Sequence, residues 1–182
     1  MPTASENLFV HTFSQTIWRI LPHATRDEWA VELRDADRKT VSWALLDLAL
    51  PALRWHTTPE ATDWWSTLVA FAEDALYLHN YRFPDIPEPT DLLAVSRLEG
   101  TLRWALPGWT FVEQDLQSGT LIVARKLPET IQYQQCDSHT GRILQPIDRE
   151  KSRALPTSDF RIPVRYGPRT YTLMYFRRFW RK

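Results

Sequence analysis

The chain reads as short apolar runs ended by turn chemistry, with little helical periodicity. Over residues 28–34, Trp29, Val31 and Leu33 alternate with Glu28, Glu32 and Arg34. That period of two predicts a strand with one face in a core and one in water. The polar run 35–39 turns the chain and 40–47 returns, which predicts a hairpin with a five-residue loop. Leu76 and Leu78 alternate with Tyr77 and His79, predicting a strand over 75–82. Residues 111–113 and 120–124 flank Gln117-Ser118-Gly119 and predict a second hairpin, with Gly119 where a left-handed residue is wanted. Tyr166-Gly167-Pro168-Arg169 predicts a turn between strands at 162–165 and 171–176. One window, 60–72, also fits an amphipathic helix, but Trp64-Trp65 and Thr67-Leu68-Val69 favour a strand for its second half. Prolines 84, 87 and 89 make a stiff connector over 83–89, and 149–158 reads as a polar loop.

Three nine-residue stretches align within this rhythm. They are Asp47-Leu48-Ala49-Leu50-Pro51-Ala52-Leu53-Arg54-Trp55, Ser96-Arg97-Leu98-Glu99-Gly100-Thr101-Leu102-Arg103-Trp104 and Asp137-Ser138-His139-Thr140-Gly141-Arg142-Ile143-Leu144-Gln145. Each follows a strand-like run. An Asp or Ser side chain at the strand end tightens the turn by bonding backbone two residues on. Gly or Pro takes the position of special φ, and a second strand ends in Arg-Trp in two of the three copies. A Trp there offers a flat face to wedge between neighbouring sheets and an N–H for a turn carbonyl. The copies start 49 and 41 residues apart, and repeats of roughly 40–50 residues with several strands each are what propeller blades show.

The pattern Asp-x-x-Thr-Gly-x-x-x-Trp is similar to the Trp-docking motif of quinoprotein-like (pyrroloquinoline-quinone-enzyme-type) β-propeller repeats. Asp137, Thr140 and Gly141 match it, with Gln145 in place of Trp; Gly100 and Trp104 match in the second copy, with Ser96 and Glu99 departing; Asp47 and Trp55 match in the first, with Pro51 where Gly is expected. Residues 16–20, Thr-Ile-Trp-Arg-Ile, look like the end of a fourth copy. The chain also resembles small bacterial proteins of this repeat type with no assigned function. No position matches the quinone-binding residues, so the resemblance implies no cofactor.

The expected fold is therefore all-β: one domain over 1–182 made of antiparallel four-stranded repeats, roughly 18–55, 55–104 and 104–148. Terminal strands at 8–21 and 160–177 would form a closing unit, giving a small propeller of about four blades. An open curved sheet or a β-sandwich is the alternative.

Composition narrows the function classes. The chain has 182 residues and nine Trp, and its apolar runs are far shorter than the roughly 20 residues of a spanning helix. The first residues lack a basic start and an apolar core, so no signal peptide is read there. One Cys excludes an internal disulfide framework and a Cys-cluster zinc site. A cytoplasmic location is the expectation. The five glycines stand singly, so no phosphate loop is present, and the five His are far apart. No catalytic or metal-ligating set emerges. Charge is balanced at 22 basic and 22 acidic residues, yet 161–182 carries seven bases and no acid.

The densest aromatic and polar cluster is Trp64, Trp65, His79, Tyr81 and Arg82, a stacking surface for a sugar, base or peptide if it is not inter-blade packing. His139 reads as turn packing and Cys136 as a buried inert thiol. Asp63, Asp74, Asp85 and Asp91 read as solvated or turn-forming. Arg177, Arg178, Arg181 and Lys182, interleaved with aromatics, form a basic patch for nucleic acid or an anionic membrane surface, or a plain basic tail. The expected function is a non-catalytic binding or interaction module with a protein partner. The alternatives are a small-molecule binder or hydrolase-like enzyme with a site in a central funnel, and anionic-polymer binding through the C-terminal bases.

Overall fold

A computed structural model describes residues 9–72, 74–82, 88–115 and 118–148, and the backbone of 172–175. It is all-β. The strands are β1 (Phe9–Thr12), β2 (Thr16–Pro22), β3 (Glu28–Asp35), β4 (Thr40–Asp47), β5 (Ala52–Thr57), β6 (Thr67–Ala72), β7 (Ala75–Asn80), β8 (Asp91–Ser96), β9 (Leu102–Pro107), β10 (Thr110–Asp115), β11 (Thr120–Lys126), β12 (Ile131–Asp137), β13 (Ile143–Pro146) and β14 (Thr172–Tyr175). β2 to β5, β6 to β9 and β10 to β13 form three four-stranded antiparallel sheets in chain order, and β1 pairs with β14.

The repeat is written into the backbone twice per sheet. The first strand of each sheet bulges at the same place, between Ile17 and Arg19, Leu68 and Ala70, and Phe111 and Glu113. The last pairing slips before each Trp or its substitute: Leu45 faces Trp55 while Leu46 faces Leu53, Ala94 faces Trp104 while Val95 faces Leu102, and Gln135 faces Gln145 while Cys136 faces Ile143. Bulges bend and twist a strand. All three sheets carry two at matching positions, and consecutive sheets pack face to face.

Stacking is visible in the cores. Ala30, Trp43 and Leu45 of the first sheet pack with Leu68, Leu76 and Leu93 of the second. The second sheet's Tyr77, Leu92 and Trp104 pack with Leu121, Val123 and Cys136 of the third. On its other face, the first sheet buries Val31, Leu33 and Leu46 with Phe13 and Phe9, which flank β1 and lie at its start.

This layering corrects the one-face-in-water expectation for 28–34. Glu32 is fully buried and Glu28 nearly so, because both faces of the first sheet are covered. The same cover buries Leu76, Tyr77, Leu78 and His79 alike. The expected hairpin at 28–47 forms with Asp35 still in its strand, so the loop shortens to residues 36–39 and Lys39 takes φ +51°. In the 60–72 window the strand starts at Thr67 and the rest is loop. Two groupings also change. β2 pairs with β3 as the edge of the first sheet and does not join a closing unit, which gives that sheet four strands. Among the described residues, β1 is the strand that meets β14, in register from Phe9 with Tyr175 to Thr12 with Thr172. The strand and turn expected at 162–169, the polar loop at 149–158 and most of the 83–89 connector lie outside the described residues.

The aligned nine-residue stretches act between sheets. Trp55 of the first sheet donates its indole N–H to the Arg97 carbonyl in the second sheet's turn, 2.7 Å away. A Cβ on Gly100 would sit 2.7 Å from Thr57 Cγ2 and 2.9 Å from Trp55 Cδ2. Trp104 of the second sheet repeats this on the third: its N–H reaches the Ser138 carbonyl at 3.1 Å, and a Cβ on Gly141 would lie 2.7 Å from Trp104 Cδ2. Both glycines have φ near +70°. Each therefore answers two needs, a left-handed turn and a bare backbone for an indole to lie on. Asp137 caps its turn with bonds from the His139 and Thr140 N–H groups and the Thr140 hydroxyl, which hold its carboxyl below the usual range. Burial alone would raise the Asp47 carboxyl, but the Leu50 and Ala49 N–H groups and the Arg54 guanidinium outweigh it and lower it. Gln145, in the Trp position of the third copy, is exposed and bonds back to Gln135 of its own sheet at 2.9 Å.

Candidate ligand-binding face

The five residues of the densest aromatic and polar cluster do not share one surface. His79 is buried inside the interface between the second and third sheets. Its Nε2 accepts the Phe111 N–H at 2.8 Å, so its own proton sits on Nδ1. Burial, and then the Arg19 charge, push its pKa down to about 4. Arg82 is exposed and makes a two-pronged pair with Asp91, at 3.0 and 2.7 Å. Asp91 also accepts the Gly108 N–H, so Arg82 fastens a turn. Tyr81 is half-buried between these two. Trp64 and Trp65 remain together in the loop that leads into β6.

That loop is held from beneath by residues the sequence did not single out. Arg34, near the end of β3, donates from Nη1 to the Trp64 carbonyl and from Nη2 to the Ser66 carbonyl, each at 2.7 Å. Its Nε donates to Glu32 Oε1 at 2.7 Å. The Glu32 Oε2 accepts the Thr67 hydroxyl at 2.9 Å and the Leu68 N–H at 2.7 Å. The Arg34 side chain is 11% exposed and that of Glu32 0%. Two indoles approach the guanidinium, with Trp18 at 5.2 Å and Trp64 at 5.0 Å from Cζ to ring centroid. A buried pair of this kind adds little over apolar packing, but removing one partner strands the other.

Asn80 closes the loop from the other side. Its amide donates to the Ala61 carbonyl and accepts the Ser66 hydroxyl. Asp63 caps the following turn by accepting the Trp65 N–H at 2.8 Å, and Ser66 Oγ accepts the Asp63 N–H. Ala61 is held at φ +60°, a left-handed conformation that an alanine rarely adopts. The net effect is a rigid loop that presents Trp65, 41% exposed, beside the exposed Asp63, with Trp18 62% exposed on β2.

The bulge geometry explains why Glu32 and His79 are needed. β6 and β10 are sheet edges, and Leu68 and Phe111 sit at the same place relative to their bulges. Each N–H crosses to the preceding sheet and is accepted there, by Glu32 at one interface and His79 at the next. Both side chains are interface fasteners. Sequence offers no signal for Glu32 or Arg34 beyond two charges in a strand, which the alternation assigns to water.

Other polar groups are committed as well. Ser42 donates its hydroxyl to Gln15 Oε1 at 2.6 Å, so the 2.8 Å contact with His56 Nε2 is a bond from His56 to Ser42. Burial, then the neighbouring His11, lower the His56 pKa. Asp74 pairs with Arg103 at 2.8 Å and lies 3.5 Å from His139. Cys136 is fully buried, and burial together with Asp137 pushes its thiol up to about 11. Among the described residues no three His, Cys, Asp or Glu side chains group as a metal site, and no helix is long and apolar enough to cross a membrane. Arg177, Arg178, Arg181, Lys182 and Asp85 lie outside the described residues.

The model of a family described as a domain of unknown function (DUF4905) matches residues 23–104, under half of the chain. The match spans β3 to β8 and β9 as far as Trp104, and so includes Glu32, Arg34, the 58–66 loop, His79 and the first Trp–Gly contact. No curated protein matches the chain.

Proposed function

We propose that this chain is a non-catalytic binding module built from quinoprotein-like propeller repeats, with the Trp64-Trp65 loop as its working face. The seating of Trp55 and Trp104 on the Gly100 and Gly141 turns supports the repeat type, because it is the contact a Trp-docking motif requires. The observation that carries the binding role is the pinned loop. Arg34, Asn80 and Asp63 fix its backbone, while Trp65 keeps 41% of its surface exposed. A rigid exposed aromatic loses little conformational freedom on binding, which is what recognition surfaces select. His79, Arg82 and Arg34 are engaged as fasteners between or within sheets.

Native mass spectrometry of the full chain, purified gently from its own cells, tests this reading. Wild type should carry a bound mass that the Trp18→Ala/Trp65→Ala double variant loses. A bare chain in both, or the same bound mass in both, would overturn it.

A further inference from the structure

The proposed binding face also constrains the charge of what it binds, and this inference rests on that reading. Arg34 lies behind Trp18 and Trp64, within 5.2 Å of both rings. Its positive charge draws on the same π-electrons that a cationic ligand would need, so these indoles are poor seats for an ammonium or guanidinium group. Arg34 is equally unsuited to an anion. Its Nε, Nη1 and Nη2 already donate to Glu32, Trp64 and Ser66, and only 11% of the side chain is exposed. The exposed carboxylate beside Trp65 is Asp63, which repels anions further.

Trp65 differs from its neighbours: among the described residues no cation lies over its ring. Its ring is an electron-rich apolar plate, and Asp63, whose Oδ1 accepts the Trp65 N–H, has Oδ2 as a strong acceptor for a hydroxyl group. An uncharged ring with C–H groups on one side and hydroxyls at its edge satisfies both. We propose that this face binds a neutral carbohydrate, with a pyranose ring stacked on Trp65 and an edge hydroxyl donating to Asp63.

The test uses the full chain labelled with 5-fluorotryptophan, whose nine Trp residues give separate fluorine resonances. Trp65→Phe identifies the Trp65 signal. The probes are uncharged cello-, malto- and manno-hexaose, a sulfated heparin hexasaccharide and a proline-rich decapeptide. One of the neutral hexaoses should shift the Trp65 resonance in a saturable way that 0.5 M salt leaves unchanged. Read by isothermal titration calorimetry with the same hexaose, Trp65→Ala should weaken that binding about tenfold, as one lost stacking contact does, and Trp65→Phe should recover part of it. Asp63→Asn should weaken it about threefold, with the other Trp resonances unmoved. No response to any neutral hexaose at millimolar concentration overturns the carbohydrate assignment. So does a response confined to the sulfated sugar or to the peptide, although a peptide response would leave the binding-module reading standing. Calorimetric affinity for the neutral hexaose that is unchanged in Trp65→Ala places the sugar elsewhere and overturns the assignment too.

Discussion

A histidine can accept a backbone N–H only while it is neutral. His79 does so, and its pKa falls from 6.5 in the free side chain to about 4 in the fold. Between those values the unfolded chain binds a proton that the folded chain refuses. The stability His79 contributes is therefore full above pH 6.5 and drains away as the pH falls toward 4, by about 3 kcal/mol if the whole shift is counted. Denaturant unfolding at several pH values should show this slope, and His79→Phe should flatten it while costing stability at pH 7 through the orphaned Phe111 N–H. An unchanged slope in the variant would place the titration elsewhere. Arg34 gives a second expectation. Arg34→Leu removes the charge opposite buried Glu32 and both bonds to the Trp64-Trp65 loop. It should cost about 3–5 kcal/mol and raise acrylamide quenching of tryptophan, as Trp64 loses its seat. Neither role was open to sequence reading. Alternation tells which residues share a strand face, but not whether that face meets water or another sheet, and here it meets another sheet.

The Trp–Gly contacts are where the sequence was most legible. Spacing alone picked out the turns at Gly100 and Gly141 and the strands that carry Trp55 and Trp104, because both halves of the contact are constrained types, a residue of positive φ and a large flat ring, although the strands run on past the Trp to Thr57 and Pro107. It did not show that each Trp lies on the next repeat's glycine, which depends on how the sheets nest. The glycines now make a graded test. Gly119 has φ +66° and nothing within 4 Å of an added Cβ, so Gly119→Ala should cost only the left-handed penalty, about 1–2 kcal/mol. Gly100→Ala adds a collision with Trp55 and Thr57, and should cost about 1–3 kcal/mol more. In a Trp55→Ala background the excess should shrink, giving a coupling of about 1 kcal/mol or more in a double-mutant cycle read by urea unfolding. Additive costs would mean that Trp55 does not rest on Gly100. The substitution of Gln145 for Trp marks where the pattern stops. A glutamine can bond its own sheet, but it offers no flat apolar face to a following one.

At the scale of the molecule, the middle sheet is set apart. The second sheet has a neighbour on each face, through Leu68, Leu76 and Leu93 on one side and Tyr77, Leu92 and Trp104 on the other. Its inner strands β7 and β8 are buried almost throughout, whereas β12 and β13 of the third sheet are largely half-buried or exposed. The fasteners, the Trp contacts and the pinned Trp65 loop all exist only if consecutive sheets nest. Native-state hydrogen exchange on the full chain, resolved by strand, tests this stacking most directly. Amides of β7 and β8 should exchange as slowly as those of the equally buried β4 and far more slowly than those of β12 and β13, and residues 63–66 should be slower than other loops because Arg34 and Asn80 hold them. Exchange in β7 and β8 no slower than in β12 and β13 would mean that the second sheet is not enclosed, and the stacked arrangement would be wrong.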